Sequence, residues 1–219
     1  MVTKNSNWLY EQYGYNVTSQ HGEDGVIEKM FRIIKPTNKF CVEFGAMDGI
    51  TWSNTYNLIM NHDWRSVQIE MRGDFFKDLV KTYEHKPVVC INKTVLPENI
   101  ETILTQNNVP QDLDFMSIDV DGLDYNIFEA MTNFRPKVII IECNPEYRNG
   151  EFVISPPASL ASIVSLAKNR GYELVAVTGV NAIFVQENFY HWFEIFDNVI
   201  ENYKIWTESR QFEFGLKLQ

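Results

Sequence analysis

Several acids fall at or just past the ends of short apolar runs, where open α/β sheets hold their ligands. In Phe40-Cys41-Val42-Glu43-Phe44-Gly45-Ala46-Met47-Asp48-Gly49, an apolar run carries an acid and then turns through two glycines. Glycines there let the backbone approach a ligand closely. The acid can meet a positively charged or hydroxylated group. A plain tight turn with a solvated Glu43 remains the simpler alternative on these residues alone. Glu70 ends the next run, 21 residues after Gly49. An acid at that place typically accepts from two ribose hydroxyls.

The third group is Asp119, Asp121 and Asp124, with Glu142 and Asn144 closing the following run. Carboxylates this close repel one another. If they converge in the fold, they need a cation or a shared proton. Oxygen donors on neighbouring strand ends suit a hard divalent ion such as Mg²⁺ or Mn²⁺. The alternative is that Asp119 orients a cofactor's amino group and the rest is loop chemistry.

The elements that must position these residues alternate. Apolar runs at Phe40–Phe44, Ser66–Ile69, Pro87–Ile91, Leu113–Ile118 and Val138–Glu142 read as strands buried on both faces. Helix patterns at Asn54–Asn61, Gly73–Tyr83, Pro97–Asn107, Asp124–Thr132 and Ala158–Asn169 separate or follow them. The alternation predicts a doubly wound, Rossmann-like α/β sheet with helices on both faces. Tyr172–Thr178 and Ala182–Gln186, joined by only three residues, should add a C-terminal antiparallel hairpin to the five parallel strands. Glu23–Lys35 reads as an amphipathic helix, with Val26, Ile27, Met30, Phe31 and Ile34 on one side. The expected plan is one compact domain in three parts: a cap or lid at 1–38, a core at 39–187 and an aromatic-rich helical extension at 188–219.

The dinucleotide fingerprint G-x-G-x-x-G is absent, since position 47 is Met. With no pyrophosphate cradle, a nicotinamide dehydrogenase is disfavoured. An acid just before the first glycine suits a cofactor bearing an ammonium group and no phosphate, namely S-adenosylmethionine.

At these residues the sequence resembles class I S-adenosylmethionine-dependent methyltransferases, and within them the FkbM-type enzymes. Their first motif, acid-x-Gly-Ala-x-x-Gly, is matched by Glu43, Gly45, Ala46 and Gly49. Their fourth-strand motif resembles Asp114–Asp124, with Asp121 and Asp124 where Glu is usual, and their fifth strand resembles Pro136–Glu142. Asn181–Val185 also fits, so the likeness runs from Ser19 to about Gln186. It implies cofactor contacts from Gln20, Glu43, Gly45, Ala46, Gly49, Ser53, Asn54, Glu70, Met71, Asn92, Lys93 and Asp119. It also implies O-methylation of a sugar hydroxyl on a glycan or glycosylated product. The acids are similar to those of metal-dependent catechol-type and macrocin-type O-methyltransferases, the latter through Asp119-Val120-Asp121. That implies a metal at Asp119, Glu142 and Asn144, although here Cys143 separates the last two.

An alcohol is a poor nucleophile and needs a base in the transition state, or a metal. Asp121 is the first candidate base and His21 the second, the latter within a polar stretch, Thr18–Asp24, that could fold over the site as a lid. Ser53, Asn54 and Thr55 could cap the next helix or contact the methionine carboxylate. The aromatics around Phe189–Phe196 and Trp8–Tyr15 could form sugar platforms, but such clusters more often pack on a core.

Lys and Arg number 19 against 29 Asp and Glu, a net charge of −10 that repels phosphate backbones, so no nucleic-acid partner is expected. No apolar run approaches the ~20 residues of a membrane helix. Three cysteines without metal-ligand spacing, Cys41, Cys90 and Cys143, read as buried thiols and fit a reducing cytoplasm. The expected partner is a small-molecule or glycan acceptor, with an oligomer left open. The rival readings are a catalytically silent cofactor- or glycan-binding module, or an O-methyltransferase of a non-sugar small molecule.

Overall fold

In the computed structural model of the protein, residues 7–143, 147 and 151–195 are described. Helices α1 (Trp8–Tyr13) and α2 (Glu23–Ile34) precede strand β1 (Phe40–Phe44). Then follow α3 (Tyr56–His62), β2 (Arg65–Glu70), α4 (Gly73–Thr82), β3 (Val88–Asn92), α5 (Ile100–Gln106) and β4 (Phe115–Ile118). The chain continues through α6 (Asp124–Ala130), β5 (Val138–Glu142), α7 (Leu160–Asn169), β6 (Tyr172–Val177), β7 (Asn181–Gln186) and α8 (Glu187–Tyr190), ending in a 3₁₀ turn at His191–Phe193.

The seven strands lie in the order β3-β2-β1-β4-β5-β7-β6. β1 to β5 are parallel, and β7 enters antiparallel between β5 and β6. This is the expected doubly wound, Rossmann-like α/β sheet with its antiparallel end. The chain winds outward in both directions from β1, so the loops after β1 and β4 part and leave a crevice at the carboxyl ends.

Central strands are aliphatic because both faces are covered. Val138 to Ile141 are fully buried, each contributing about 1.5–3 kcal/mol relative to exposure. At the opposite end of the sheet, the Asp114 carboxylate accepts the backbone amides of Thr37, Asn38 and Lys39 and pairs with Lys137 Nζ at 3.0 Å. That clamp fixes where β1 and β4 begin, and so where they end. The N-terminal segment joins the same core through Trp8 and Leu9, and Trp8 Nε1 donates to the Phe193 carbonyl at 2.9 Å. Among the described residues, no helix is long and apolar enough to cross a membrane.

Three expectations need correction. β3 is an edge strand, so Val89 is exposed and Cys90 only half-buried, unlike Cys41 and Cys143. Helix α5 begins at Ile100, after Pro97, because residues 97–99 form a turn closed by Asn99 Oδ1 accepting the Leu96 amide. Of the terminal aromatics, Trp8 and Phe193 are core residues, whereas Trp192 is exposed; Phe196 and Trp206 lie outside the described residues.

Candidate active site

A cavity of about 540 Å³ opens at the carboxyl ends of the parallel strands. It brings together Gln20, Glu43, Gly45, Ser53, Asn54, Glu70, Met71, Lys93, Asp119, Asp121 and Glu142 from the sequence-derived set. The acids divide into two kinds.

Glu43 and Glu70 are buried and accept hydrogen bonds from the protein's own loops. Glu43 accepts Ser53 Oγ at 2.7 Å, the Asn54 amide at 2.7 Å and Thr55 Oγ1 at 2.6 Å. Burial pushes its carboxyl up from the usual range, and these donors oppose the shift. The hydroxyls therefore serve Glu43, and the Thr55 side chain does not cap α3 as expected. Ser53 Oγ instead accepts the Tyr56 amide. Glu70 accepts the Met47 and Arg72 amides at 2.9 and 2.7 Å, which aims its carboxylate across the cavity floor. Gly45 is required here, because a Cβ would stand 2.0 Å from the Asp119 carbonyl oxygen.

Asp119, Asp121 and Glu142 are the second kind. Their carboxylate oxygens lie within 4.8 Å of one another, and no donor among the described residues reaches them. Burial, then Glu142, Asp124, Asp121 and Glu43, push Asp119 up to about 8. Burial, then Asp124 and Asp121, push Glu142 up to about 7. Three acids facing one another without donors call for protons or a cation. Asp124, grouped with them by sequence, turns inward and accepts the Val120 and Gly122 amides at 2.8 and 3.0 Å. It holds the turn on which Asp121 sits at a left-handed φ of 56°.

Four expected site residues do not line the cavity. His21 packs its ring against Gly179 in the β6–β7 turn, its amide donating to Glu23 Oε2 at 2.7 Å. Ala46 is core, and Gly49 lies under Tyr83, whose hydroxyl donates to the Gly49 carbonyl at 2.8 Å. Asn92 uses its side chain to hold the carbonyls of Glu70 and Met71, at 2.7 and 3.1 Å. Asn144, expected as a metal ligand, lies outside the described residues. Within Thr18–Asp24, Thr18 Oγ1 donates to the Ser53 carbonyl at 3.0 Å and Gln20 lines the cavity.

Sequence reasoning missed Trp52, Arg72, Phe75 and Asn181, which also line the cavity. Trp52 stands inside the glycine-turn loop and could have been noticed there. Asn181 has no local signal; β7 carries it beside Glu142 through antiparallel pairing. Asn54 Oδ1 and Asn181 Oδ1 are among four buried side-chain atoms without a partner in the described residues. Orphaned acceptors in a cavity wall fit a ligand that brings donors.

Residues 75–174 match the family model described as the methyltransferase FkbM domain. The match takes in Asp119, Asp121 and Glu142 and begins after Glu43 and Glu70. No curated protein matches the chain. Among solved structures, the CurJ carbon methyltransferase superposes with a TM-score of 0.51 at 12% identity, covering 75% of this chain and 52% of that one. An S-adenosylmethionine-dependent methyltransferase of Clostridium acetobutylicum gives 0.49 at 11% identity, covering 75% and 90%. TehB of Haemophilus influenzae gives 0.49 at 11% identity, covering 82% and 66%. This chain thus spans about half of CurJ's chain. The family model covers slightly less than half of this chain, and the structural likeness is one of fold.

Proposed function

We propose that the protein is an S-adenosylmethionine-dependent O-methyltransferase acting on a sugar hydroxyl. The observation that carries this reading is the pairing, in one cavity, of an engaged acid set with an unengaged one. Glu70, oriented by two backbone amides, suits a vicinal diol such as a ribose. Glu43, Asn54 Oδ1 and Asp119 offer acceptors to an α-ammonium group, and Gly45 leaves room for close backbone approach. S-adenosylmethionine bound there supplies a methyl group on a sulfonium, whose transfer to a hydroxyl releases S-adenosylhomocysteine and one proton.

The chain's own residues position the acceptor and take that proton. Asp121, exposed on its strained turn, is the base for the acceptor hydroxyl. Holding the two reactants in line supplies much of the rate. Asp119, Asp121 and Glu142 also fit a divalent ion by donor type and spacing; Mg²⁺ or Mn²⁺ held there would lower the hydroxyl's pKa. Asp121 would then act as a ligand.

The test combines calorimetry with S-adenosylmethionine and methyl transfer from labelled cofactor to a panel of methyl glycosides, with EDTA or with Mn²⁺. Asp121→Asn should retain cofactor affinity and lose turnover by about 10²–10⁴-fold. No cofactor binding would sink the reading. Binding without transfer to any acceptor would leave a silent module, and transfer only to phenols or carboxylates would replace the sugar.

A further inference from the structure

Trp52 is the residue at this cavity whose state the chemistry above does not explain. It is 57% exposed, while Trp8 and Trp64 are 2% exposed in the core. Trp192 is also exposed but does not line the cavity. The Trp52 backbone adopts a left-handed φ of 58°, which is unfavourable for a bulky side chain.

The loop around it enforces that conformation. Asp48 Oδ1 accepts the Ile50 and Thr51 amides at 2.9 and 2.7 Å, and Asp48 Oδ2 accepts Thr51 Oγ1 at 2.9 Å. Thr82 Oγ1 donates to the Asp48 carbonyl, and Thr18 Oγ1 to the Ser53 carbonyl. Strain persists only where the surroundings over-determine it, and such strain gathers at ligand sites. Met47 and Asp121, at φ of 47° and 56°, share both the strain and the cavity.

The geometry points to Trp52 as the platform on which the acceptor's sugar ring stacks, at the mouth of the cavity. A pyranose presents an apolar C–H face to the electron-rich face of an indole, while its hydroxyls reach acceptors. The buried floor, at Glu43, Glu70 and Asn54, suits the cofactor; a side chain more than half exposed meets what enters afterwards. The carboxylates of Asp119, Asp121 and Glu142 then face the hydroxyls of the stacked ring. This assignment rests on the methyl-transfer reading above.

The full chain and its Trp52→Ala, Trp52→Tyr and Trp52→Gly variants decide it. Calorimetry with S-adenosylmethionine and S-adenosylhomocysteine should give unchanged affinities in all four. With methyl glycosides, Trp52→Ala should raise KM about tenfold or more with little change in kcat, and Trp52→Tyr should restore most of it. Glycosides should quench tryptophan fluorescence of the homocysteine complex in the wild type, and less in Trp52→Ala. Trp52→Gly should raise both the melting temperature and KM, separating strain from fold.

Loss of affinity for the sulfonium but not for the homocysteine would instead place Trp52 on the cofactor's charge. An unchanged KM, or no glycoside that quenches or is methylated while S-adenosylmethionine binds, would also overturn the platform. Failure of S-adenosylmethionine itself to bind would instead overturn the underlying reading.

Discussion

The two acid sets of the cavity use the same side chains for opposite purposes. Glu43 is met by two hydroxyls and an amide, and Glu70 by two amides. Among the described residues, Asp119, Asp121 and Glu142 meet chiefly one another. The first set pairs with donors built into its own loops and so fixes the shape of those loops. The second has no donor among the described residues, so burial and mutual repulsion raise Asp119 and Glu142 and favour a bound proton or a cation there. The difference teaches that an acid at a strand end is a scaffold or a reactive group according to the donors its own loop supplies.

The largest effect should come from breaking the engaged set. Glu43→Ala strands two hydroxyls and an amide in a buried wall, at a cost of about 2–3 kcal/mol. Differential scanning fluorimetry should show a fall of roughly 5–10 °C in Tm, and S-adenosylmethionine binding should be lost. An unchanged Tm would mean that Glu43 does not organise the loop.

The unengaged set should reveal itself through pH. The Asp119 and Glu142 carboxyls are raised in the fold, to about 8 and about 7. Their protonated forms therefore stabilise the folded chain, fully so below the unfolded carboxyl range near pH 4. That stabilisation is lost as pH rises through about 7 to 8. In EDTA, the wild-type Tm should fall from pH 5 to 8.5 more steeply than that of Asp119→Asn, and Mn²⁺ should flatten the wild-type curve if the trio holds a metal. Parallel curves would show that the three acids are not coupled.

The smallest effect belongs to His21→Ala. With its ring packed on Gly179, this change should alter kcat by well under tenfold, against roughly 10²–10⁴ for a lost general base. A pH–rate profile that lost its acidic limb in this variant would return His21 to the chemistry.

Much of this was legible in the chain. β1 and β5 begin and end where their apolar runs do, because a strand buried on both faces must be aliphatic throughout. β3 misled because an edge strand can carry the same composition with one flank open. The α5 start shifted by three residues because a local Asn99 turn outcompeted helix initiation after Pro97. Gly45 and Gly49 look equivalent in sequence. In the fold, one admits the Asp119 backbone and the other packs beneath Tyr83.

The sequence by itself determined the alternation of strands and helices, the terminal hairpin and the presence of acids at strand ends. Hydrophobic periodicity and short connections are local properties, and they suffice for that. Only the tertiary structure decided which acids are partnered, that the His21 ring packs on Gly179, that Asn181 stands beside Glu142 and that Trp52 lines the cavity while more than half exposed. Those facts depend on strand order and on loops meeting across the sheet, where residues far apart in the chain set one another's burial and charge.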